Sequence, residues 1–114
     1  MSSTVENYLT IAKTLKRQGD DYLVVCRKPT LFSYYSDCRT TNYRYTLNDK
    51  ELIQQLIDIN ADYVVLEQLG YSSTPKYLLP AIQKNQNLFK LEMHLKEPDT
   101  YLLRFNKEKA RNQY

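Results

Sequence analysis

The sequence predicts an α/β fold, a three-layer sandwich of Rossmann-like or flavodoxin-like type. Three parallel strands in the order 2-1-3 are extended by a C-terminal antiparallel hairpin. Three observations lead there. Apolar stripes at helical spacing alternate along the chain with short β-rich runs, the pattern of a sheet covered by helices. Two of those runs, 22–26 and 62–67, are continuously apolar at their centres, as in strands covered on both faces. The chain then closes with two alternating runs around a Pro98-Asp99 turn, a hairpin with one wet face.

Each element has its own warrant. A first helix is expected over about 4–18: Ser3 and Glu6 stand at capping-box spacing, Val5, Tyr8, Leu9, Ala12 and Leu15 form one stripe, and Gly19 supplies the stop. After the strand at 22–26, Pro29 suits a first helical turn, with Leu31, Tyr34 and Tyr35 at i, i+3 and i+4. Residues 41–46 alternate, Tyr43 and Tyr45 on one face and Asn42 and Arg44 on the other, which predicts the second strand after a stretch long enough for a parallel crossover. Asn48 and Glu51 repeat the capping-box spacing, and Leu47 and Leu52 occupy the two positions of a hydrophobic staple. Leu52, Ile53, Leu56 and Ile57 then face the core before the third strand. Residues 69–75 read as a turn into a helix, with Thr74 as N-cap and Pro75 at its first position; Pro80 either kinks that helix or begins the real one. Phe89, Leu91, Met93 and Leu95 alternate against Lys90, Glu92, His94 and Lys96, and Tyr101, Leu103 and Phe105 alternate after the turn.

The 114 residues suit a single domain, 1–114, with 1–3 and 107–114 expected to fray. No apolar run is long enough to span a membrane, and the first residues lack the basic and apolar regions of a signal peptide. A net charge of +3, spread along the whole chain, falls short of the clustering that nucleic-acid binding needs, so no nucleic-acid partner is expected. Cys26 and Cys38 are too few for a disulfide framework and too far apart for a CxxC pair. Cys26 reads as a small buried hydrophobe, and a Cys26–Cys38 bridge stays open if the two flank neighbouring strands. One histidine and two separated cysteines make no metal-ligand set, and no cofactor is implied.

Strand order 2-1-3 places a topological switch point between the first and third strands, and ligands of open α/β sheets bind beyond the carboxyl ends of strands there. That edge would gather Arg27 and Lys28 from the first strand and Gln68, Tyr71, Ser72, Ser73, Thr74 and Lys76 from the third. Free N–H groups, hydroxyls and cations together make a cradle for phosphate or another anion. The plainer account is that Ser73 and Thr74 cap a helix while the cations are solvated; it is the weightier one, because caps are universal and anion sites are not. Gly70 stands alone, so neither a P-loop nor a dinucleotide fingerprint is present. Gly70-Tyr71-Ser72-Ser73-Thr74 approaches a nucleophile elbow, but its fifth position is threonine and the only imidazole, His94, falls on a wet strand face. Tyr43-Arg44-Tyr45 offers no RNA-stacking platform, since alternation separates the arginine from the rings; tyrosine packing under a crossover helix accounts for it better. The Asp20-Asp21 carboxylate pair sits in a polar loop before the first strand, away from this edge.

Residues 61–74 and 77–82, Val25-Cys26-Arg27-Lys28-Pro29 with Leu31-Phe32-Ser33-Tyr34-Tyr35, and Asp99-Thr100-Tyr101-Leu102-Leu103 together resemble the soluble C-terminal domain of Bacteroidetes-type integral-membrane glycosyltransferases. That group is related to protein mannosyltransferases and aminoarabinose transferases, of the GT-C type, and the resemblance runs from about Asn7 to Phe105. It implies a lipid-linked-sugar transferase whose catalytic acid lies in an extracytoplasmic loop between membrane helices. No residue of this chain matches that motif, so none carries over as catalytic. The expectation is a non-catalytic accessory domain that positions substrate or stabilises the transmembrane part. Its partners would be that transmembrane part and a polyprenyl-phosphate or glycan headgroup, at the periplasmic face of the inner membrane. The alternative is a free-standing, cytoplasmic α/β binding module for a phosphorylated small molecule or other anion.

Overall fold

In the computed structural model, which describes residues 3–19 and 21–114, helices and strands alternate and the strands join one mixed α/β sheet. The elements are α1 (Ser3–Gln18), β1 (Leu23–Val25), α2 (Pro29–Ser36), β2 (Arg39–Thr41), α3 (Asp49–Asp58), β3 (Tyr63–Leu66), a π-helical turn (Thr74–Leu78) leading into α4 (Leu79–Lys84), a 3-10 turn (Gln86–Leu88), β4 (Phe89–Leu95), β5 (Thr100–Phe105) and α5 (Lys107–Gln113). The order across the sheet is β2-β1-β3-β5-β4. β1 pairs parallel with β2 and β3, and β5 runs antiparallel between β3 and β4. The expected order of the parallel strands and the hairpin on the third strand's side are both present.

Successive residues of a strand point to opposite faces, and the cores divide accordingly. Val25, Val64, Leu103 and Phe105 pack with Leu52, Ile53 and Leu56 of α3 and Ala81 of α4. Val24, Cys26, Val65 and Leu102 pack with Tyr8, Ile11, Ala12 and Leu15 of α1 and Phe32 of α2. Both thiols are free and buried, so no Cys26–Cys38 bridge forms.

Several local expectations change. The second strand is 39–41 rather than 41–46. Past Thr41 the backbone is satisfied by side chains: Asn42 accepts from the Tyr43 N–H, and Gln55 of α3 accepts from Arg44 N–H while donating to the Asn42 carbonyl. Such local bonds replace a strand ladder, and Tyr43 and Tyr45 leave the sheet edge as a loop. Asn48 caps α3 through the Lys50 N–H, but Glu51 accepts from Thr46, and Leu47 is 73% exposed, so no staple with Leu52 forms. In α2 the buried anchor is Phe32, while Tyr34 is 77% exposed. β4 is interrupted by a register shift between Leu91 and Met93; Phe89 joins the α3 side, Met93 and Leu95 the α1 side, and Leu91 is left exposed. A bulge of this kind breaks the simple alternation read from sequence.

The ends also differ. Met1 and Ser2 of the expected N-terminal fray lie outside the described residues, as does Asp20 of the carboxylate pair, while Ser3 already lies within α1. The tail expected to fray forms α5 instead. Asn106 caps it by accepting from the Lys109 N–H, and Ala110 is fully buried. Lys107 reaches Asp62 at 2.7 Å and Arg111 reaches the Asn60 side chain, anchoring the helix to the foot of β3. The charges that made this segment look solvated are the groups that tie it down.

Candidate functional site

The chain leaves β3 at Leu66 and must turn sharply to begin the π-helical turn at Thr74. Gly70 adopts φ +96°, a conformation that side-chain-bearing residues rarely take, and so permits that turn. Inside the turn, Glu67 is 2% exposed and its carboxylate is hydrogen-bonded locally. One carboxylate oxygen accepts from the Thr74 hydroxyl at 2.6 Å, the other from the Leu69 N–H at 2.6 Å. Two donors at short range are what a buried carboxylate requires.

Arg27 follows β1 and crosses to the same loop. Its Nε donates to the Ser73 hydroxyl at 3.1 Å, and its guanidinium lies 4.0 Å from the Tyr71 ring centre and 5.4 Å from that of Tyr45. Tyr45 stacks in turn on Tyr77. The tips of β1 and β3 are therefore neighbours, as the strand order requires. The switch point between them is filled, however. Tyr43 is 4% exposed, and its hydroxyl sits 2.9 Å from the Ser73 hydroxyl and 3.3 Å from that of Thr74. Burial pushes the Tyr43 phenol up despite these bonds, with the Glu67 charge adding to the effect.

The open space lies one strand further along. A cleft of about 640 Å³ opens where the end of β3 meets the start of β5, at the Leu66–Tyr101 pair. Leu66, Pro75 and Leu79 make its apolar wall, and the rings of Tyr71 and Tyr101 line it. Its polar groups are Glu67, Gln68, Ser72, Thr74 and Asp99. Asp99 pairs with His94 Nε2 at 2.7 Å, and the His94 ring stacks on Tyr101 with centres 4.3 Å apart.

Of the residues gathered from sequence, Gln68, Tyr71, Ser72 and Thr74 line the cleft. Arg27 and Ser73 form the clasp behind it. Lys28 is exposed and lies at a shallow depression with Pro29, Leu31 and Tyr34, and Lys76 is exposed with its ammonium 5.3 Å from the Tyr77 ring. Neither lysine lines the cleft. The capping account of the hydroxyls does not hold either: Ser73 bonds Arg27 and Tyr43, Thr74 bonds Glu67, and the π-helical turn has no side-chain cap. Sequence reasoning missed Glu67, Asp99 and Tyr101. Glu67 closes an apolar run, where a carboxylate with no obvious counter-charge was a signal of an internal partner. Asp99 and Tyr101 arrive only through the antiparallel register of β5 on β3.

A second buried cluster lies on the opposite face. The Tyr8 hydroxyl donates to the Lys28 carbonyl and accepts from the Lys28 N–H, closing the end of β1. Burial pushes the Cys26 thiol up to about 12 and raises the Tyr8 phenol further still. Neither is a poised nucleophile. Among the described residues no group of three or more His, Cys, Asp and Glu side chains could hold a metal ion, and no helix is long and apolar enough to cross a membrane. Comparison of the chain with protein families, with curated proteins and with solved structures finds no match.

Proposed function

We propose that this chain is a non-catalytic accessory domain of a membrane glycosyltransferase. It holds the polar head of a lipid-linked sugar, donor or acceptor, in the cleft between the tips of β3 and β5, at the periplasmic face of the membrane. The transmembrane part of such an enzyme is its partner in this reading. The carrying observation is the cleft itself, lined by Gln68, Tyr71, Ser72 and Thr74 from the predicted edge. Pockets at strand ends with an apolar wall and a few convergent polar groups are where α/β domains take ligands. The engagement of the hydroxyls favours binding over chemistry: Ser73 and Thr74 are committed to Arg27, Tyr43 and Glu67, and the single imidazole faces Asp99. We read the arrangement of the helices as Rossmann-like and three-layered, supported by the division of the core between two sheet faces.

Calorimetric titration of the chain with a water-soluble short-chain prenyl phosphosugar tests this. Saturable binding that is weakened by Tyr71→Ala, with no sugar transfer by the chain alone, is expected. Turnover by the isolated chain, or heats unaffected by the substitution, would contradict it.

One observation favours a second reading, a module for a phosphorylated small molecule or other anion. Among the described residues Arg27 forms no ion pair, although it stands beside the cleft.

A further inference from the structure

The cleft's polar lining has a sign. Two carboxylates, Glu67 and Asp99, line it, and no lysine or arginine does. A phosphate placed there would meet two negative groups in a partly desolvated space, where like charges repel most strongly. The cationic side chains nearest the edge point their charge elsewhere: Arg27 lies against the Tyr71 ring and bonds Ser73, and Lys76 lies over Tyr77.

A cation fits no better. An aromatic face attracts a cation through its quadrupole, but the Tyr71 ring already carries the Arg27 guanidinium at 4.0 Å. The Tyr101 ring has one face against His94, and Asp99 already holds the His94 nitrogen. Glu67 already accepts from Thr74 and Leu69, one bond on each oxygen. What remains is a set of hydrogen-bonding groups, the second Asp99 oxygen, the Gln68 amide and the Ser72 hydroxyl, beside two tyrosine rings braced from behind. Acceptors around rigid ring surfaces suit the hydroxyls and the C–H face of a saturated ring.

We infer that the cleft takes an uncharged, hydroxyl-rich ring, the sugar unit of the ligand, and that the phosphate stays outside it. This rests on the ligand-binding reading above and names what the cleft recognises. Asp99 and Gln68 accept from ring hydroxyls, and Tyr101 carries the ring's apolar face. Arg27 acts as a positioning residue, holding the Tyr71 ring and the Ser73 hydroxyl.

The test is amide-shift mapping on the full chain with three separate probes: a panel of neutral monosaccharides and their methyl glycosides, inorganic phosphate, and choline. Saturable shifts at residues 66–72 and 99–101 with at least one neutral sugar are expected. Gln68→Ala, an exposed position whose loss leaves the core intact, and Asp99→Asn should each weaken that response by about tenfold, the loss of one good hydrogen bond, while Lys84→Ala leaves it unchanged. Phosphate or choline shifting these amides while every neutral sugar is silent would overturn the inference and leave the ligand-binding reading standing. Silence with all three probes and with the prenyl phosphosugar would remove both.

Discussion

Arg27 does several jobs with one planar group: it bonds Ser73 through Nε and lies against Tyr71 and Tyr45. Replacing it with alanine should lower stability by about 1–2 kcal/mol, from one hydrogen bond and partly exposed cation–ring contacts, read by urea unfolding. Arg27→Lys should recover little, because an ammonium cannot bond and stack in the same plane. Thr74→Val is the sharper case. It keeps the shape but strips the Glu67 carboxylate of its hydroxyl donor inside the protein, so a loss of about 1–3 kcal/mol is expected from the same measurement. The buried thiols give a pH dependence with a definite sign. Cys26 ionises near 9 when unfolded and is pushed up to about 12 by burial in the folded chain, so between those values only the unfolded state releases the proton. Its stabilising contribution is complete below about pH 9 and declines as pH rises toward 12; thermal melts at pH 7, 9 and 10.5 should show a falling midpoint. Arg27, Ser73 and Thr74 were legible in sequence as a group that would meet. Their bonds were not: Glu67 meets Thr74 only because the chain turns back on itself after β3, and Tyr43 arrives from thirty residues away through tertiary packing.

At the scale of elements, the two central parallel strands were readable because strands covered on both faces leave a continuous apolar run. The second strand was not. Tyr43 and Tyr45 alternate as a strand would, but Asn42 and Gln55 take over the backbone bonds and turn the segment into a loop. Pro80 shows a compromise between its two readings. The π-helical turn runs up to Leu78, and Pro80, which has no N–H to give, falls in the first turn of α4 just past that change of helical pitch. The tail misled for a different reason. Its charges look solvated in sequence, yet Lys107 and Arg111 are partnered and Ala110 reaches the core. Asn106→Ala should therefore lower stability by about 1 kcal/mol, visible as a midpoint lower by roughly 4–6 °C. Removing 107–114 should cost far more, since it uncovers the core that Ala110 closes.

The whole molecule places its cleft one strand away from where strand order alone puts it. The sheet does reverse between β1 and β3, but Tyr43, Arg27 and Tyr71 fill that crevice. The antiparallel hairpin supplies the new wall through Tyr101 and Asp99. An edge read as a cradle for anions thus becomes a clasp of cation and rings, with the open space beside it lined by acceptors. The most direct test is hydrogen–deuterium exchange of the full chain with and without the prenyl phosphosugar. Slowed exchange at residues 67–75 and 99–101, with 28–34 unchanged, is the predicted result. Protection confined to the Lys28–Tyr34 depression, or none anywhere, would contradict it.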